Sequence, residues 1–174
     1  MNESELRQIP LTALLAVTGV IFPQFFHLLG LGATFLPLFI PVMLGGFLLR
    51  WRFAVTLAII APMASFFLTG MPPITPPVLP LVICELIISA TIISFMFVYK
   101  HLNKWLALIL AILADRIFLF FVVFILAPVF GLPQLFTSVS LVLSGIPGII
   151  LQLVVLPAAL SFIEIKFPQY FITG

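Results

Sequence analysis

The chain has 174 residues, 64% of them hydrophobic, with seven Lys and Arg against five Asp and Glu and a formal net charge of +2. Soluble domains are about 45–50% apolar and about a quarter charged, so a mean hydropathy of +1.41 rules out a soluble enzyme and places the chain in a bilayer. One cysteine excludes an internal disulfide, and Cys84 with two histidines separated by long apolar runs lacks the spacing of a metal site.

A hydrocarbon core about 30 Å thick takes roughly 20 apolar residues per spanning helix. The length therefore predicts an all-α integral membrane protein: six transmembrane helices in one bundle, a single domain over 1–174 with no room for a second, aqueous domain. Apolar runs place the spans near 10–27, 34–49, 53–69, 78–99, 105–129 and 138–163. Glu3 and Glu5 precede Arg7, and no small-residue cleavage site follows the first run, so that run reads as a retained span.

Between the second and third spans lies Arg50-Trp51-Arg52, and between the fourth and fifth lies Lys100-His101-Leu102-Asn103-Lys104. The other three connections carry no Lys or Arg. Cytoplasmic loops collect basic residues, so both basic turns are expected inside, and an even span count puts the N and C termini there too, with Arg7 and Lys166. Trp51, Tyr99 and Trp105 flank the same turns, where amphipathic rings favour the headgroup level.

The uncharged connections, 28–33, 70–77 and 130–137, are then outside. The middle one begins GMPPITPPVLP, five prolines in eleven residues. Proline fixes φ and removes a donor, so this stretch is extended and stiff. It reads either as a cover over a cavity mouth or as a rigid turn.

Three ionisable residues fall at depth: Glu85 in span four, Asp115 and Arg116 in span five. Counting about 1.5 Å per residue from opposite faces puts Glu85 and Arg116 at similar depths on consecutive antiparallel helices, as partners. Asp115, adjacent to Arg116, points about 100° round the helix from it and is expected to face a different neighbour. The pair is either a structural bridge between two helices or the polar lining of a pocket in the outer half of the bundle. In span six Ser140, Ser144, Gly148 and Gln152 recur every fourth residue, a small and polar stripe in which Gln152 calls for a polar partner. Pro147 beside it breaks the hydrogen-bond ladder, and reads either as opening a concave wall or as a kink without function. His27, Thr69 and Thr75 flank the outer loops, with Gln134 and Ser138 as further candidates there.

No phosphate loop, HExxH, GxSxG or paired-cysteine motif is present. The expectation is a chain that is not an enzyme, needs no cofactor or metal and binds no nucleic acid.

The segments Gly32–Lys100, containing GATFLPLFIPVMLGGFLLRWRFAVTLAIIAPMASFFLTGMPP and PPVLPLVICELIISATIISFMFVYK, and Leu108–Phe118, LILAILADRIF, resemble the S components of energy-coupling factor transporters. These are the substrate-binding membrane subunits of prokaryotic vitamin and micronutrient importers. The resemblance implies a small vitamin-like substrate held in the outer half of the bundle under the loops. It also implies the prokaryotic cytoplasmic membrane as location, and as partners a transmembrane coupling protein and two cytosolic ATPases, which would supply the missing phosphate loop. Glu85 and Arg116 would then contact substrate, supported by Asp115 and Gln152, with His27, Thr69 and Thr75 under the lid. Members dock through small residues of the first span, often an alanine pair four apart; here the corresponding residues are Thr12 and Ala16, beside Ala13 and Gly19. Two other function classes fit the same residues: a secondary permease driven by an ion gradient, and a structural subunit of a membrane complex.

Overall fold

The computed structural model describes residues 6–28, 30, 35–75, 77–131, 143 and 145–171, with the side chains of His27 and Gln169 excepted. Six helices form the described part: α1 (Gln8–Leu28), α2 (Phe39–Leu48), α3 (Trp51–Thr69), α4 (Val78–Ile93), α5 (Lys104–Phe121) and α6 (Ile146–Lys166). A π-helical turn over Ser94–Tyr99 prolongs α4, and another over Val122–Leu126 carries α5 on to Ala127–Val129. Five of these helical runs are long and apolar enough to cross a membrane, so the chain is an all-helical protein built like a multi-pass bundle.

The sixth run is different. The expected span 34–49 is represented by a helix of 10 residues, about 15 Å long at 1.5 Å per residue and half a bilayer core. The cause lies at its start. Leu36 adopts φ 47, a left-handed backbone that breaks a right-handed helix, and Pro37 follows without a donor N–H. The helix restarts through short turns, Phe39 N–H donating to Leu36 O at 3.0 Å and Ile40 N–H to Pro37 O at 3.3 Å.

What α2 lacks in length it recovers in burial. Nine of its ten residues are buried, and α1, α3, α4 and α6 all pack around it. Two adjacent glycines make this possible. A Cβ on Gly46 would lie 3.0 Å from Ile93 Cβ and 3.2 Å from Ala90 O of α4, while one on Gly45 would collide with Leu57 Cδ2 of α3. Small residues allow backbones to approach where lipid gives no hydrophobic push between helices.

One end of the bundle is tied by hydrogen bonds. Arg50 N–H, in the α2–α3 turn, donates to Gln8 Oε1 of α1 at 2.8 Å, and Ser94 Oγ of the first π turn donates to Leu49 O at 2.9 Å. Asn103 caps α5, its Oδ1 accepting from Trp105 N–H at 3.0 Å. Lys104 Nζ reaches Ser161 Oγ and Glu164 Oε2 of α6, each at 3.0 Å. Phe47, Phe97 and Phe171 stack edge to face in sequence, joining the segment after α6 to α2. The start of α1, both basic turns and the end of α6 therefore share one end. Trp51, Tyr99 and Trp105 are exposed there.

At the other end α3 closes on Gly70, left-handed at φ 74, whose N–H donates to Phe66 O at 2.8 Å. The proline-rich segment then contributes a carbonyl in place of the donors it lacks: Pro73 O accepts from Leu79 N–H in the first turn of α4 at 3.0 Å. Pro147 also departs from expectation. It lies in the first turn of α6, where a missing N–H leaves no bond unmade, so it starts the helix and does not open it.

Gly46→Val should destabilise the fold by about 1–3 kcal/mol or more through overpacking, because its new atoms meet the α4 backbone and a β-branched side chain. Thermal unfolding of the detergent-solubilised protein measures this; a wild-type melting temperature would contradict the packing described.

Candidate functional site

Two features meet near the end of the bundle opposite the basic turns: a cluster of three charges between α4 and α5, and a cavity beneath the proline-rich segment. In the cluster Arg116 folds back on its own neighbour. Its Nε and Nη2 both donate to Asp115 Oδ2, at 3.0 and 2.7 Å, and the same Nη2 stands 3.8 Å from Glu85 Oε1. The expectation that the adjacent charges diverge fails because arginine is long enough to bend round the helix, so all three groups converge. Glu85 and Asp115 are each 4% exposed.

The cluster is unevenly satisfied. Asp115 Oδ1 is buried without a hydrogen-bond partner among the described residues, as is Ser89 Oγ, one turn along α4 from Glu85. Two carboxylates thus share one guanidinium. A buried polar atom left unpaired costs about 1–3 kcal/mol, and a buried charge more.

Residues leading into α6 close the cluster on another side. A Cβ on Gly145 would lie 2.8 Å from Arg116 Nη1 and 3.3 Å from Leu36 Cδ1, so the absent side chain makes room for the guanidinium. Gly148 presses on backbone, its would-be Cβ 2.8 Å from Phe35 O. The spacing of three and then four continues this face to Gln152, which is buried. Ser140 and Ser144 of the expected stripe lie outside the described residues, as do Gln134 and Ser138 and most of the outer connections 28–33 and 130–137.

The cavity has a volume of about 420 Å³. Pro23 of α1, Leu36 to Phe39 at the start of α2, Ser65 of α3, Met71 to Pro73 of the proline-rich segment, and Val78 and Val82 of α4 line it. Ser65 contributes the one hydroxyl among these. Pro72 and Pro73 of the proline-rich segment form part of the cavity wall.

The other expected residues are distributed differently. Thr69 and Thr75 are exposed and are not among the described lining residues. The Thr69 hydroxyl is occupied at the helix end, donating to Ser65 O at 2.7 Å and accepting from Met71 N–H at 3.4 Å. The side chain of His27 is outside the described set. In α1, Thr12 is buried and donates to Gln8 O at 2.7 Å, and Gly19 is wedged against Ala61, Leu38 and Pro41 of the same chain. Ala16 packs partly against the core. Ala13 alone of these four is exposed.

Sequence reasoning passed over Ser65 and Val82. Ser65 carried a signal, being a lone hydroxyl in the apolar run from Leu57 to Leu68; Val82 carried none, one aliphatic residue among many.

Comparison with protein-family models, with curated proteins and with solved structures finds no match.

Gly148→Ala should lower stability by about 1–3 kcal/mol, since the backbone of Phe35 must move. Gly145→Ala should cost less, because the end of a flexible arginine can swing aside. Melting temperatures of the two variants in detergent check the order; the reverse order would contradict the contacts at Arg116.

Proposed function

We propose that the chain is the substrate-binding subunit of an ATP-driven importer of the energy-coupling factor type, taking up a vitamin or related micronutrient. Six helices lie in the cytoplasmic membrane of a prokaryote, α2 short and central, with both termini and both basic turns on the cytoplasmic side. The substrate enters from the opposite face.

The observation that carries this reading is the cavity of about 420 Å³ under the prolines, at the end away from the basic turns. Small-molecule sites are concave and mostly apolar, with a few placed polar groups, and this one has the charge cluster close by. Pre-stiffened prolines in its wall lose little conformational freedom when a ligand is enclosed. The sequence carries no phosphate loop, so the energy comes from partners: a membrane coupling protein and two cytosolic ATPases. On α1, the exposed Ala13 side, with Leu14 and Val17, is the part of the helix free to meet the coupling protein.

One observation favours a second reading. Ionisable side chains buried within spans are used for ion coupling, and Glu85, Asp115 and Arg116 form such a group. A secondary permease would accumulate substrate by itself in proteoliposomes bearing an ion gradient, whereas a binding subunit would not.

Native mass spectrometry of the purified protein should reveal a bound small molecule, and Val82→Phe, which projects a ring into the cavity, should remove it while the protein stays folded. Retention of that molecule by the folded variant would exclude the cavity as its site.

A further inference from the structure

We propose that the Glu85, Asp115 and Arg116 cluster is the binding site for a cationic amino group, carried on the end of an apolar ligand body that fills the neighbouring cavity. The inference rests on the reading of the cavity as a ligand site and names the chemical class of what enters it.

Three observations converge. The first is charge. Two carboxylates face one guanidinium, and the guanidinium is spent mainly on Asp115, leaving Glu85 Oε1 3.8 Å from the nearest cationic nitrogen, beyond hydrogen-bond range. The formal charges of the three groups sum to −1, and a cation beside Glu85 favours its ionised form. The second is hydrogen bonding: Asp115 Oδ1 accepts nothing from the described residues, and Ser89 Oγ is likewise unpartnered. A carboxylate oxygen only accepts, so what Asp115 lacks is a donor, while the Ser89 hydroxyl can donate or accept. An ammonium group brings up to three donors with a single positive charge, whereas a carboxylate or phosphate would add acceptors and a repelling charge.

The third observation is proximity. Val82 lines the cavity, and Glu85 follows three residues later on α4, about 4.5 Å along the axis. On the other side Leu36 also lines the cavity. Its Cδ1 and Arg116 Nη1 lie 3.3 and 2.8 Å from one point, the position of a Cβ on Gly145, and so within about 6 Å of each other. The charged side chains are not themselves part of the described lining; Leu36 and Val82 are the lining residues nearest to them along these two routes. Leu36 is held in a left-handed conformation that a branched residue seldom occupies, at the boundary between the two. An apolar body in the cavity places a terminal amine against Glu85 past these two side chains.

The test compares three probes of one shape by calorimetry on the detergent-solubilised full chain at pH 7: tryptamine, its alcohol counterpart tryptophol, and indole-3-propionate. Tryptamine is expected to bind at least tenfold more tightly than tryptophol, and indole-3-propionate least. Glu85→Gln keeps the shape and leaves Asp115 and Arg116 as a balanced pair; it should erase the preference for amine over alcohol while leaving tryptophol affinity within about twofold. Asp115→Asn is the second variant, expected to weaken tryptamine at least fivefold with the same sparing of tryptophol. Equal binding of amine and alcohol by the wild-type protein, with both lost in Val82→Phe, would overturn the cationic site and leave the cavity reading standing; a proton on Glu85 would produce that result. Tighter binding of the acid would also overturn it. Failure of all three probes to bind would overturn the cavity reading and this inference together. Melting temperatures of both variants, expected within a few degrees of wild type, show that the losses come from the site.

Discussion

The rest of the structure depends on how closely α2 is gripped. A ten-residue helix is too short to span a bilayer and would expose unpaired backbone ends if it faced lipid. It is stable here because α1, α3, α4 and α6 surround it, and because Gly45 and Gly46 let the α3 and α4 helices come to contact distance. Within lipid no solvent drives helices together; packing contacts and a few hydrogen bonds do the work. The Leu49–Arg50 turn receives one such bond from Ser94 and makes another to Gln8, so the base of α2 is fastened to the helices on either side.

That arrangement has a consequence at the opposite end. Because α2 starts late, at Phe39, the segment from Leu36 to Leu38 is non-helical chain folded into the bundle, and such chain is tolerated at depth only where protein or a cavity surrounds it. It does both here: Leu36 to Leu38 line the cavity, while Leu36 and Phe35 bear on Gly145 and Gly148. The same shortened helix therefore yields the space under the prolines and the contact surface for the start of α6. The cavity is a by-product of a truncated core helix.

The charge cluster obeys a different constraint. Burying Glu85, Asp115 and Arg116 costs free energy that one guanidinium cannot fully repay, and a pair of aliphatic residues would hold α4 to α5 at least as well. Arg116 satisfies Asp115 by curling back along α5 and leaves Glu85 at ion-pair distance without a hydrogen bond.

Much of this was legible along the chain. Hydropathy is a local, additive property, so runs of apolar residues located four long helices to within a few residues at both ends and the far end of a fifth, α6, and the basic pairs with their tryptophans marked one shared end. The proline cluster announced a stiff connection through chemistry confined to a few neighbouring residues. The depth count brought Glu85 level with Arg116. What sequence could not decide was facing and reach. In a chain whose outside is as apolar as its inside, no periodicity tells which side of a helix meets another, so Thr12 and Gly19 read as an open stripe although they point into the chain's own core. The late start of α2, at Phe39, came from a left-handed backbone at Leu36 that no residue type there requires, and Asp115 joined the cluster through a bend in the arginine side chain. Each of these depends on contacts between segments far apart in the chain, and only the assembled tertiary structure determines them.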